Sequence, residues 1–286
     1  MGDKTRHSQG WCVDIKDALE IVSQTNPGMV RSHNEDSVTY DAEIGLVVLA
    51  DGMGGYNAGE VASGIAVSVL SSEVRHHLEG ARPEQLDDSG EELGVALLRD
   101  NMKKANLSIF RAAQSQPQYA GMGTTIVTAL FYDDRVAVAH VGDSRMYRLR
   151  GDTFEAVTRD HSLLQEQIDG GLISKEDARL SKNKNLVTRA VGIDDDVVPE
   201  IQVQEVQVGD IYLLCSDGLN DMVEDEDIGM TLQMLQNNLP LAATQLVQQA
   251  NDNGGRDNVS VILVKVKGRF SAPQGWWAKM RAWFES

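Results

Sequence analysis

Four aspartates stand at the ends of apolar runs, each beside or close to glycine. Asp51 closes "VVLAD" ahead of Gly52, Asp143 closes "VAVAHVGD" just after Gly142, and Asp217 closes "IYLLCSD" ahead of Gly218. Asp257 has the opposite sense and opens "NVSVILVKV" after "NGGR". Taken singly, each reads as a turn, because Asp and Gly favour strand ends and reversals. Taken together they also fit a different chemistry. Neighbouring strands of an antiparallel sheet place the C-end of one beside the N-end of the next, so these carboxylates can gather at one rim. Several carboxylates close together cannot all remain ionised without compensating cations. No lysine or arginine cluster accompanies them, and hard, oxygen-loving divalent ions such as Mg²⁺ or Mn²⁺ answer the need. Nitrogen and sulfur ligands at zinc or copper spacing are missing, and so is the repeating acidic loop of an EF-hand.

The elements that would hold such a rim follow from periodicity. "ALEIVSQT" (Ala18 to Thr25) reads as a strand ending at an Asn-Pro-Gly turn, and "SVTYDAEIGLVVLA" as two strands joined near "DAEIG". Val61, Ile65 and Val69, with Ala62 and Ala66 beside them, make one helical stripe; Leu98, Met102, Ala105, Ile109 and Ala112 make another. From Thr124 onward the period becomes that of strands, in four β-rich runs broken at "DDR", "GDS" and "RGD", and such short turns predict antiparallel pairing throughout. Residues 159–182 are polar and helical in pattern, with a capping box at "SKED" (Ser174 to Asp177). In "IQVQEVQVGDIYLLCSD" the alternation of Ile201 and Val203 resumes out of step at Val206, which predicts a bulge at Glu205. Two further helices, "EDEDIGMTLQML" and "LAATQLVQQAND", precede the last strand. Two helices cannot cover so many strands on both faces, whereas two antiparallel sheets packed together with helices outside can. The predicted class is α+β, a β-sandwich flanked by helices.

Composition sets outer limits. The chain has 286 residues, 42% hydrophobic and 24% charged, which suits a folded core. Its formal net charge of -17 argues against nucleic acid as a partner. The two cysteines, Cys12 and Cys215, form no metal or disulfide pattern. No signal peptide or spanning run stands out, so the expected compartment is the cytoplasm.

The motifs "GMVRSHNEDS" (Gly28 to Ser37), "ADGMGGYNAGEVAS" (Ala50 to Ser63), "GMGTT" (Gly121 to Thr125), "VGDSRMYRLR" (Val141 to Arg150), "LCSDGL" (Leu214 to Leu219) and "GGRDNVSVI" (Gly254 to Ile262) occur in this order. Together they resemble the bacterial form of the PPM family, the metal-dependent protein serine/threonine phosphatases of type 2C, from about Ala18 to Lys267. The resemblance implies a four-layer α-β-β-α sandwich with metals at one rim. It implies that Asp51 bridges two Mn²⁺ or Mg²⁺ ions, that the Gly52 carbonyl binds one of them, and that Asp217 and Asp257 complete the pair. It makes Asp143 the ligand of a third, weaker ion, with Asn185 as a helper. Glu35 and Asp36 fall where the family holds metal-bound water or orients ligands, and Arg31 where it grips the substrate phosphate. The implied reaction is hydrolysis of phosphoserine or phosphothreonine by a hydroxide activated between two metals, opposing a serine/threonine kinase. Many eukaryotic relatives carry a proton-donating histidine where this chain has Met53. Metal-bound water, or His161 in "RDHS", would then supply the proton.

The resulting layout is an arm at 1–17, a phosphatase domain at 18–267 with a flap insertion at about 160–192, and a basic aromatic tail at 268–286. The flap, which borders the site, can serve as a substrate gate or as a plain solvated insertion. All four tryptophans, Trp11, Trp276, Trp277 and Trp283, lie in the arms. The tail reads as an amphipathic helix resting on its own domain, on a partner, or peripherally on a membrane. Rival functional readings are a non-catalytic phosphoprotein-binding scaffold and a phosphohydrolase acting on small phosphate esters.

Overall fold

The computed structural model describes residues 14–55, 57–174, 177 and 186–272. A short helix α1 (Ile15–Ala18) leads into β1 (Leu19–Asn26), followed by β2 (Asp36–Asp41) and β3 (Leu46–Met53). Helices α2 (Ala58–Leu78) and α3 (Leu93–Ser115) come next, then β4 (Gly123–Thr124), β5 (Ile126–Tyr132), β6 (Arg135–Val141), β7 (Arg145–Arg150) and β8 (Thr153–Ala156). After α4 (Leu163–Asp169) come β9 (Glu200–Glu205), β10 (Ile211–Cys215), α5 (Asp217–Asn220), α6 (Asp225–Leu235), α7 (Leu239–Asp252) and β11 (Val259–Val266).

Two antiparallel sheets form. One runs β1-β11-β10-β7-β8; the other runs β2-β3-β5-β6-β9, with β4 added against β3. Their central strands are apolar almost throughout because both faces of each sheet are covered. In β3, Leu46, Val48 and Ala50 turn outward to Ala62, Ala66 and Leu70 of α2 and Leu98 and Met102 of α3. Val47 and Leu49 of the same strand turn inward, into a core shared with Met146, Tyr212, Leu214, Ile262 and Val264 of the other sheet. The outer face of that second sheet carries Leu213, Cys215 and Leu263 against α6 and α7. The four-layer α-β-β-α sandwich is the expected one.

Four local expectations change. The stripe of α2 is rotated: Ala62, Ser63, Ala66, Leu70 and Val74 are buried, while Val61, Ile65 and Val69 sit at the margin. Small side chains bring α2 close to β3, and the larger ones fill the flanks. No bulge forms at Glu205, because β9 pairs in unbroken register from Glu200 opposite His140 to Glu205 opposite Arg135. The strand ends there, and the shifted alternation belongs to the turn that follows. Asp217 does not close β10, which stops at Cys215, but opens α5. Finally, β6 and β7 do not pair across "GDS" but lie in different sheets. The chain turns at Gly142, whose φ of 108 suits glycine, and crosses the sandwich there. That crossing places Asp143 between the sheets at the rim.

Candidate metal centre

Each predicted carboxylate is carried by an element with its own reason to end at this pole. Asp51 lies in β3 directly opposite Asp36 of β2. Its main chain is fixed from the far side: Thr124 Oγ1 donates to the Asp51 carbonyl at 2.7 Å and the Thr125 N–H at 2.8 Å. Gly52 follows where two backbones meet. A Cβ there would stand 2.1 Å from the Gly59 carbonyl oxygen and 2.6 Å from that of Glu35, so only glycine fits. Asp217 opens α5 just beyond β10, and Asp257 precedes β11, the antiparallel neighbour of β10.

Hydrogen bonds tie the two sheets together at this rim. Ser216 Oγ donates to Asp36 Oδ2 at 2.9 Å and accepts the Ser260 N–H. Asn258 clamps the loop between β1 and β2. Its Oδ1 accepts the Glu35 N–H at 2.8 Å, and its Nδ2 donates to the carbonyls of Pro27 and His33. That loop carries Arg31, whose Nη2 donates to Asp257 Oδ2 at 2.7 Å. The residue expected to grip phosphate and one expected to hold metal therefore stand against each other.

The electrostatics describe a site short of positive charge. Burial pushes the carboxyls of Asp51 and Asp217 well above their usual range, and the charges of Asp143, Asp257 and Asp36 push both further. Burial raises Asp36 to about 6, opposed by hydrogen bonds from Ser260 and Ser216. Burial also raises Asp143 to about 6, with Asp160 and Asp221 adding to the effect. Two buried acidic oxygens, Glu35 Oε1 and Asp36 Oδ1, have no hydrogen-bond partner. A buried acceptor left unpaired is costly, as is a group of like charges. The oxygen-only donor set, the unpaired oxygens and the mutual repulsion fit divalent Mg²⁺ or Mn²⁺.

Beside the rim opens a cleft of about 630 Å³ bounded by α4 and α5 and lined by Asp143, Asp217, Asp221, Arg145, Leu164 and Ile168 among others. Asp160 also lines it, held by Arg145 through Nε at 2.8 Å and Nη2 at 2.7 Å.

The sequence residues thus divide. Asp51, Asp143, Asp217, Asp257, Asp36, Glu35, Gly52 and Arg31 come together. His161, the candidate acid, is engaged elsewhere. It is buried, its Nδ1 accepts the Gly142 N–H at 3.2 Å, and burial pushes it down to about 4, with His140 and Arg189 adding. Asn185 lies outside the described residues, as do Trp11, Cys12 and the aromatic part of the tail. Ser216, Asn258, Thr124 and Asp221 were not singled out from sequence. The first three sit inside the recognised motifs, but their tasks appear only once distant loops are brought together.

Comparison with known proteins agrees with this geometry. A family model described as Protein phosphatase 2C matches residues 30–252. The serine/threonine protein phosphatase PstP of Mycobacterium tuberculosis is 37% identical over 248 residues, which is 87% of this chain and 45% of PstP. The chain therefore spans about half the length of that relative. The serine/threonine phosphatase stp of Listeria welshimeri is 37% identical over 245 residues, 85% of this chain and 94% of stp. The solved catalytic domain of PstP in complex with 2 manganese ions superposes with a TM-score of 0.75 at 35% identity, covering 87% of this chain and 98% of that one. With a matching family model over most of its length, the same sandwich and an acidic rim built for divalent ions, the chain belongs to the protein phosphatase 2C family.

Proposed function

We propose that this chain is a metal-dependent protein serine/threonine phosphatase. The observation that carries this reading is the convergence of Asp51, Asp143, Asp217 and Asp257 on one rim with Arg31 beside them. Asp51, Asp217, Asp257 and the Gly52 carbonyl would hold two Mn²⁺ or Mg²⁺ ions, and Asp143 would hold a third, weaker one. Bound divalent ions supply a water of lowered pKa and positive charge facing the phosphoryl oxygens. The protein does the positioning. Arg31 offers a planar fork of donors to the phosphate. Asp36, anchored by Ser216, and Glu35, anchored through Asn258, orient the ligands from behind. The cleft bounded by Leu164 and Ile168 receives the polypeptide on one side of the phosphoresidue, which favours phosphoproteins over small esters.

No covalent phospho-enzyme is needed. Cys215, the one cysteine among the described residues, is fully buried, and burial pushes its thiol up, away from nucleophilic character. Met53 cannot donate a proton to the leaving oxygen.

The test is Mn²⁺-dependent release of phosphate from a phosphothreonine peptide. Asp51→Asn should lower kcat/KM on the order of 10³-fold. Activity indifferent to metal or to this substitution would overturn the proposal, and a scaffold need not give a calorimetric Mn²⁺ signal. Comparable rates on sugar phosphates would favour the small-ester reading.

The sequence limits of 18–267 stop short of Phe270, which packs into the core between the sheets, so the docking tail proposed for a partner or membrane surface is the part of 268–286 beyond it. Arg269 Nε and the Phe270 N–H both donate to Asp134, and the Ala272 N–H to Asp133, at the pole opposite the acidic rim. Removal of 273–286 spares these contacts. It should lower pelleting with anionic liposomes if the tail meets membranes, and unchanged pelleting removes that version.

A further inference from the structure

We propose that His161 is a positioning residue: its imidazole and its own N–H clasp Gly142 from the base of the flap and so set where the Asp143 carboxylate stands. This rests on the reading of Asp143 as a ligand for the weaker ion.

The clasp has two points. The Gly142 N–H donates to His161 Nδ1 at 3.2 Å, and the His161 N–H donates to the Gly142 carbonyl at 2.9 Å. Gly142 needs such a hold. At its φ of 108 a Cβ would lie 2.5 Å from Thr125 Cβ, so the position is confined to glycine, which has little preference of its own. The direction of Asp143 depends on that residue. On its other side, Arg145 is held by Asp160, so adjacent residues at the flap base grip both flanks of Asp143. The carbonyl of His161 in turn accepts the Thr188 N–H at 2.8 Å and ties in the returning end of the flap.

The ring is itself fixed. It stacks on His140 with centroids 4.7 Å apart and planes within 14°. His140, in β6, has Nε2 2.7 Å from the Arg159 carbonyl and is 1% exposed. Because Nδ1 of His161 accepts, the proton of the neutral ring sits on Nε2. That nitrogen is buried without a hydrogen-bond partner and lies 3.5 Å from Glu200 Oε2. His140, His161 and Glu200 place their ligand atoms within 4.8 Å of one another, which suggests a metal site. The stacking argues against it. Ring nitrogens ligate in the plane of the ring, and two face-to-face rings cannot both aim that plane at one ion. The occupied Nδ1 also leaves Nε2 protonated and unable to ligate. These histidines are a joint, not a metal centre.

Two substitutions in the full chain separate the parts of the joint. His161→Phe keeps a stacked ring and removes the acceptor. His161→Asn removes the ring and returns an acceptor near the position of Nδ1. In metal-free protein, amide exchange at Gly142 should quicken about tenfold in His161→Phe and stay near wild type in His161→Asn. The Mn²⁺ concentration for half-maximal activity should rise about 10- to 100-fold in His161→Phe, with tight Mn²⁺ binding by calorimetry unchanged, and His161→Asn should restore it. Combined with Asp143→Asn, His161→Phe should add nothing further, since both act through one ligand.

Additive effects, unchanged Gly142 exchange, or lowered thermal stability with an unaltered Mn²⁺ curve would each overturn the clasp. Should His161→Phe fail to fold, His161→Ala is read the same way. Should both fail, unprotected Gly142 exchange in the wild type overturns the proposal. An Asp143→Asn variant with a normal Mn²⁺ curve would instead sink the ligand reading of Asp143.

Discussion

The acidic rim is governed by single residues whose ordinary behaviour is reversed by where they sit. Asp36 and Asp143, both raised to about 6, hold protons that they would lose in an unfolded chain. The folded state therefore binds more protons than the unfolded state between the ordinary carboxyl pKa and about 6. Their contribution to metal-free stability is present at low pH and is lost as pH rises through that window. Divalent ions remove the penalty by displacing the protons. Mn²⁺ binding should release protons, and more of them at about pH 6 than at pH 8. Calorimetry in buffers of different ionisation enthalpy checks this. Gly52 belongs to the same scale. Gly52→Ala should destabilise by about 1–3 kcal/mol, as overpacking does, and weaken Mn²⁺ binding, both measurable by denaturation and titration. Sequence patterning marked these positions because carboxylates at apolar strand ends and glycines beside them are visible in one dimension. Ser216 and Asn258 carried no such mark. Their value lies in partners at Asp36, Ser260, Pro27 and His33, which only folding brings near.

Elements contribute by where they stop. The loop from Pro27 to Glu35 has little packing of its own and takes its shape from Asn258, which satisfies three main-chain groups at once. Asn258→Ala should cost about 1–3 kcal/mol in urea denaturation, for the buried groups left unpaired. It should also lower activity through misplacement of Arg31, and Arg31→Ala should then add little in the double variant. The longer strands and helices were legible from period, including the paired runs β5–β6 and β7–β8, whereas the short α1, α5 and β4 were not. The break between β6 and β7 was not. A three-residue turn reads as a hairpin in sequence, and only the competing sheets at the crossing decide otherwise. The rotated face of α2 has a similar cause. Hydrophobicity points to the valines, but close approach to β3 selects the alanines and Ser63.

At the scale of the molecule, the rim is where two sheets are held together by charge that repels. Asp51 and Asp36 come from one sheet, Asp217 and Asp257 from just beyond the ends of two strands in the other. Ions that bind only the assembled rim must stabilise the whole sandwich. At about 100 times the dissociation constant, Mn²⁺ should add about 2.7 kcal/mol, and EDTA should remove it, with no such effect in Asp51→Asn. The inner core supplies the opposing attraction. Ile262 is fully buried between the sheets, and Ile262→Ala should cost about 2–5 kcal/mol.

The sequence by itself determined the element types, the apolar runs that demand covering on both faces, and the residue types able to bind hard cations. These are local properties, written in period and composition. Tertiary structure decided which loops meet: that the chain crosses between sheets at Gly142, that Asn258 organises the Arg31 loop, and that His161 faces the main chain rather than the site. These depend on contacts between residues far apart in the chain, where packing and hydrogen-bond satisfaction outweigh any local preference.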